Sequence, residues 1–240
     1  MKSYNIPVLT VFLIVFMTVP ECIADWRSYV WTYEYQTVDR GDAELESYFT
    51  LSTPEIDRME GITTSDFQLE LEVGMTERYD FSIYQIFEQA PEGSLRYKGY
   101  KLRSRYRFGE KGRYPLDPLI YVEYKGKPDF SEHGIELKLI LAKDIGATNI
   151  SLNPILEFEG NGEWEVEPEY AVGITRRISD LLKIGLEAKG GESGHFVGPV
   201  ISHGRGDLWV TLGSAIKLGD VDEGKPEFQI RLLMGIGFFE

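Results

Sequence analysis

The chain has 240 residues, with 25 Lys and Arg against 39 Asp and Glu, a formal net charge of −14 at pH 7. A balance that acidic argues against nucleic acid and anionic membrane surfaces as partners. A single cysteine, Cys22, leaves no intramolecular disulfide, and after residue 24 no apolar run approaches the about eighteen residues of a spanning helix.

The N-terminus predicts an exported protein. Lys2 precedes the apolar stretch Ile6–Val19, and Cys22 and Ala24 put small residues at −3 and −1 of a cleavage site before Asp25. Residues 1–24 read as a signal peptide that takes the only cysteine with it, and residues 25–240 as one domain. From Trp26 onward apolar and polar residues alternate, in stretches bounded by Gly, Pro, Asp and Asn. In chain order these are Arg27–Thr37, Ala43–Ser52, Asp66–Val73, Tyr79–Gln89, Arg96–Gly109, Leu119–Gly126, Gly134–Ala142, Asn149–Glu159, Glu163–Ile178, Leu182–Lys189, His195–His203, Asp207–Lys217 and Glu227–Phe238. Single-chain bacterial barrels have an even number of strands. The first stretch is therefore set apart, as a short N-terminal strand or a lumenal or periplasmic lead-in, and twelve strands are expected.

In the last stretch Phe228, Ile230, Leu232, Met234, Ile236 and Phe238 are apolar at every second position. A strand of about eleven residues, tilted by about 45°, crosses the hydrocarbon core of a bilayer. Phe228, Ile230, Leu232, Ile236 and Phe238 form the candidate membrane-insertion signal. Other outward candidates are Phe67, Leu69, Leu71 and Val73; Ile135, Leu137, Leu139 and Leu141; Leu208, Val210, Leu212 and Ile216. A soluble sandwich would show the same alternation with its apolar face inside. Two features favour a barrel. The stretches exceed the usual soluble strand of about five or six residues. Aromatic residues near their ends (Trp26, Tyr79, Phe87, Phe108, Trp164, Phe196, Phe228, Phe238) suit interfacial girdles. The expected fold is all-β, a single antiparallel up-and-down transmembrane barrel. With the C-terminus in the periplasm, the connections Gly74–Arg78, Gly109–Asp117, Lys143–Thr148, Arg177–Asp180 and His203–Asp207 fall at that end, and the acidic, Gly- and Pro-bearing ones at the other.

The opposite strand faces give the candidate lumen. Lys101, Arg103, Arg105 and Arg107 make a basic ladder, Glu165, Glu167 and Glu169 an acidic one, and Glu70, Glu72, Glu123 and Glu136 point inward with them, as do Asp80, Glu88, Glu157 and Glu187. Isolated charges are costly in low dielectric, so these must be paired or hydrated. They fit either an ion-paired plug or a passage whose charges select a solute. His133, His195 and His203 have no metal-ligand spacing. Ser193 and His195 admit a hydrolase reading without a nucleophile motif.

Several segments together carry a resemblance: Trp31–Thr37 with Gly41–Glu46, Gly74–Arg78 before Tyr79, Leu116–Leu119 with Tyr121 and Glu123, Gly198 with Pro199, Trp209–Gly213, and the Phe-rich end. The chain resembles bacterial outer-membrane β-barrels of the transporter type, among them proteins likened to phenol-degradation meta-pathway channels. The resemblance implies a Gram-negative outer-membrane location and passive transport of small molecules, hydrophobic ones included. Glu240 departs from the terminal aromatic usual in barrels. The function expected is a porin-like channel or transporter with a charged lumen and no cofactor. Its expected partners are outer-membrane lipid and lipopolysaccharide, the barrel-assembly machinery and an unidentified small solute. A lipid-modifying hydrolase and a structural or adhesive barrel are the alternatives.

Overall fold

A sheet with one apolar face and nothing to pack on it can hide its edges only by closing, and a bilayer demands that closure because no water satisfies a free strand edge. The computed structural model describes residues 26–160 and 164–238; residues 1–24, where a signal peptide is expected, and Glu240 lie outside them. Among the described residues the chain forms β1 (Ala43–Thr53), β2 (Thr64–Thr76), β3 (Tyr79–Gln89), β4 (Arg96–Arg107), β5 (Asp117–Gly126), β6 (His133–Ile145), β7 (Thr148–Gly160), β8 (Trp164–Ser179), β9 (Leu182–Gly191), β10 (Gly194–Arg205), β11 (Leu208–Lys217) and β12 (Phe228–Phe238). Each pairs antiparallel with its chain neighbours, and β1 pairs with β12 from Ala43 opposite Phe238 to Thr53 opposite Phe228, which closes the barrel. The twelve expected strands are the twelve observed. The stretch Arg27–Thr37 is not one of them, and takes the lumenal alternative.

The two faces are inverted relative to a soluble protein. Leu71, Leu139 and Leu212 are 48, 39 and 39% exposed, whereas Glu70, Glu72 and Thr211 on the same strands or their neighbours are 0, 1 and 0%. On β12, Met234 and Phe238 face outward, and Leu233 is fully buried. Trp164, Tyr106, Phe108 and Phe238 stand exposed near the two rims, as girdle residues. Trp26 and Phe196 depart from the expected girdle. Phe196 is buried in the interior cluster and Trp26 packs against it, because residue 26 belongs to the lumenal segment and residue 196 falls on the inward phase of β10.

The connections divide by end. Residues 77–78, 146–147, 180–181 and 206–207 are two-residue turns at the end that holds Phe238, joined there by the longer 108–116. Residues 54–63, 90–95, 127–132 and 218–227 lie at the opposite, loop end. At Gly146 and Gly206 the two-residue turn requires φ of 62° and 60°, a conformation glycine adopts without steric cost.

An arginine placed on the outer face measures what surrounds it. Leu139→Arg should lower the folding free energy in lipid vesicles by about 2–4 kcal/mol, read by denaturant titration. A change within experimental error would mean that this face does not meet hydrocarbon.

Candidate functional site

The interior is occupied by residues 26–38, which enter and leave through the turn end. Trp26 donates its indole N–H to Ser202, and its carbonyl accepts from Lys183 at 3.1 Å, both near the β8–β9 and β10–β11 turns. Val38 donates to Asp80 at 3.2 Å, near the β2–β3 turn. Between these points the chain climbs to mid-barrel and returns. The limbs are tied across their neck by Glu34, which accepts from the Ser28 amide and hydroxyl at 2.7 and 2.8 Å. This is an Ω-loop, with ends close and its own side chains packed.

Its apex is held by one carboxylate. The amides of Val30, Trp31 and Thr32 donate to Glu187 at 3.0, 3.1 and 2.9 Å, and Glu187 is 3% exposed. Asn153 accepts from the Tyr33 amide at 2.6 Å and donates to its carbonyl at 3.1 Å, and the Tyr29 hydroxyl donates to the Asn149 carbonyl at 3.1 Å. Glycines in the wall make room for the loop. A Cβ at Gly173 would lie 2.3 Å from the Tyr29 ring, and one at Gly213 2.5 Å from Val30. The loop's aromatic and aliphatic side chains account for the buried apolar residues on the inner wall. Leu233, Val200 and Ala215 cluster with Tyr29, Val30 and Trp31, while Leu119, Ile140 and Ala142 cluster with Tyr35.

The charged ladders sit beside the loop. Arg103, 1% exposed, pairs with Glu70 at 2.8 Å and Glu72 at 2.5 Å, and donates to the Tyr84 hydroxyl at 2.6 Å. Arg105 pairs with Asp80 at 2.7 Å and also with Glu72. Arg27 of the loop joins them, 3.3 Å from Glu46 and 2.7 Å from the Tyr48 hydroxyl. Glu46, Glu70 and Glu72 approach within 4.8 Å, the spacing of a cation site, but Arg27, Arg103 and Arg105 already supply the positive charge there. Lys101 pairs with Glu123 at 3.0 Å, and Glu136 takes Lys138 at 2.9 Å and Lys125 at 3.5 Å. Arg107 lies nearest the turn end and donates to the Glu77 carbonyl at 2.5 Å. Glu165 and Glu167 are exposed at the loop-end rim and Glu169 is half-buried below them; among the described residues none has a cation within 4.0 Å. Phe228, Ile230, Leu232, Ile236 and Phe238 occupy the outward phase of β12.

The sequence set Arg27–Thr37 apart as a possible lumenal lead-in without giving its residues a site role, and gave none to Glu46, Lys189 or Arg231. The available signal was phase, since Glu46, Lys189 and Arg231 sit between lipid-facing residues on β1, β9 and β12. Two cavities flank the loop. One, of about 260 Å³, opens at the loop end above Val30, Trp31 and Tyr33. The other, of about 200 Å³, lies at the turn end against Ser28, Glu34, Thr175 and Lys183. The carboxylate latch and the Tyr29 ring stand between them.

No protein-family model and no curated protein sequence matches the chain. Solved structures do. An outer-membrane channel from Pseudomonas putida F1 is 11% identical, over 88% of this chain and 100% of that one, with a TM-score of 0.61. The KdgM porin, solved in complex with disordered oligogalacturonate, is 11% identical over 82% and 99%, with a TM-score of 0.56. The NanC porin is 8% identical over 82% and 99%, with a TM-score of 0.53. The fold is that of outer-membrane channel barrels.

The buried pairs make a stability test. Arg103→Ala leaves Glu70 without its guanidinium in a closed interior, and should destabilise the barrel by about 3–5 kcal/mol. Arg107→Ala, which removes a hydrogen bond to a backbone carbonyl and a guanidinium 5.9 Å from the Tyr35 ring centre but no ion pair, should cost about 1 kcal/mol. The shift in unfolding midpoint on denaturant titration ranks the two, and equal midpoints would contradict the pairing described.

Proposed function

We propose that the chain is an outer-membrane channel for small molecules, held shut by its lumenal Ω-loop. The observation that carries this reading is the pair of cavities at opposite ends of one barrel, separated by a loop whose apex rests on hydrogen bonds to Glu187, Asn153, Ser151 and Arg231, with Tyr29 reaching Asn149 beside it. The likeness to channel barrels supports it. A passage along the β7–β9 wall opens when the apex withdraws. The ion pairs among Arg103, Arg105, Glu70, Glu72 and Asp80 then brace the opposite wall.

The cargo class we attach to it is that of the phenol-degradation channels the sequence resembles, small and in part apolar. The aromatic lining of the loop-end cavity, with Trp31, Tyr33, Tyr84 and Phe196, supports that choice. Lipopolysaccharide and the barrel-assembly machinery are its proposed partners. A hydrolase is the weaker reading, since the His195 ring meets the Tyr170 hydroxyl at 3.2 Å and no carboxylate or serine partner among the described residues.

Planar-bilayer recording tests the latch. Glu187→Ala removes three charge-assisted hydrogen bonds from the loop apex and should raise the open fraction by about tenfold or more. A folded Glu187→Ala barrel that conducts no more than the wild type would refute gating by this loop.

A further inference from the structure

The loop-end cavity carries a charge imbalance that the barrel itself does not resolve. Four cations (Lys101, Lys138, Lys189, Arg231) and three carboxylates (Glu123, Glu136, Glu169) line it, leaving one positive charge in excess. Lys101 with Glu123, and Lys138 with Glu136, are paired at 3.0 and 2.9 Å. Lys189 and Arg231 are different. Among the described residues neither has a carboxylate within 4.0 Å. Lys189 gives one N–H to the Gln229 side-chain oxygen at 2.6 Å, out of the three donors an ammonium carries. Arg231 gives its Nε–H to Thr50 at 2.9 Å and one Nη1–H to the Val30 carbonyl at 3.3 Å, which leaves the Nη2 donors.

Both cations converge on one ring. The Lys189 ammonium is 4.7 Å and the Arg231 guanidinium 5.4 Å from the centre of Trp31, and Lys189 lies 5.6 Å from that of Phe196. The Trp31 indole N–H is buried and has no acceptor among the described residues, a third unmet donor at the same place. Glu169, on the adjoining strand, offsets one of the two free cations, and the remaining charge is that of a monoanion. At about 260 Å³ the space is smaller than the roughly 300–1,000 Å³ of sites for drug-sized ligands.

We infer that the loop-end cavity binds a small ring-bearing carboxylate, its anionic group on Lys189 and Arg231 and its flat face against Trp31 and Phe196. The N–H donors of Lys189 and Arg231 give charge-assisted hydrogen bonds to the carboxylate oxygens, and the aromatic walls bury the ring. This deepens the channel reading and rests on it for the fate of the bound molecule. Binding is measured without any transport step, so a barrel that binds but never conducts and one that conducts but never binds give different results.

The test is calorimetric titration of the detergent-solubilised full-length protein with benzoate. Benzyl alcohol serves as the neutral ring and as the control for partition into detergent, and galacturonate as a carboxylate on a polar ring. Benzoate should bind saturably and benzyl alcohol should not. Lys189→Gln and Arg231→Gln should each weaken benzoate by about tenfold or more, while Lys189→Arg, which keeps the charge, should retain it. Circular dichroism of each variant establishes that the barrel has folded. Equal binding of benzoate and benzyl alcohol, or unchanged benzoate affinity in folded Lys189→Gln and Arg231→Gln, would overturn the anion site. Tighter binding of galacturonate than of benzoate would overturn the assignment of the ring.

Discussion

A barrel closed in lipid has one direction in which polarity can go. Charged side chains at mid-depth on its strands must turn inward, since an outward charge there meets hydrocarbon, and the interior of twelve strands is narrow. Much of the architecture follows from fitting too many charges into that volume. Arg103 and Arg105 on one strand find Glu70 and Glu72 on another and Asp80 on a third, so the pairs run across the wall and fix the strands relative to one another. Tyrosines fill the gaps that ion pairs leave. Tyr33 and Tyr121 meet at 5.0 Å between ring centres, tilted by 59°, with the Lys138 ammonium 4.5 Å from each ring, so that two aromatic faces add to its pairing with Glu136.

The Ω-loop answers a second demand. A lumen lined wholly by charges would need water, whereas part of this wall is apolar. Leu119, Ile140, Leu233 and Trp209 are fully buried on the inner phase of their strands, where strict alternation would put polar groups. They face the loop rather than solvent, and its Tyr29, Val30 and Tyr35 complete two small hydrophobic cores inside a membrane protein. The loop's own amides, deprived of a strand partner, turn to Glu187 and Asn153. A buried carboxylate that accepts three amide hydrogens is well satisfied without a counter-cation.

The strands were legible because the bilayer enforces a period of two along their whole length. β3 runs over Tyr79–Gln89, the limits the alternation gives, and the other strands differ by a few residues at their ends, where girdle and turn residues blur the phase. The basic ladder was legible for the same reason. Residues 27–37 were ambiguous because Trp31, Tyr33 and Tyr35 alternate with Thr32, Glu34 and Gln36 as they would in a strand. The difference lies in what surrounds the segment, which is the inner wall of the barrel, and a one-dimensional pattern does not carry that. Leu233 broke the alternation in the last strand, and the break marked a contact with the loop. The convergence of Lys189 and Arg231 on Trp31 was invisible for a further reason. It joins three stretches of chain that only the closed register brings together.

Because both limbs of the Ω-loop pass through the turn end, the loop occupies the barrel as a bight of rope occupies a ring, and among the described residues nothing is threaded. Such a bight can be placed or withdrawn without unpairing any of the twelve strands, so closing the wall and filling the lumen are geometrically separable. The barrel can complete its hydrogen-bonded circumference around water first and exchange that water for the loop afterwards. The same geometry gives the proposed gate a side. A pull applied from the turn end draws the bight out along its own limbs, whereas a push from the loop end must drive its apex down the axis past Glu187.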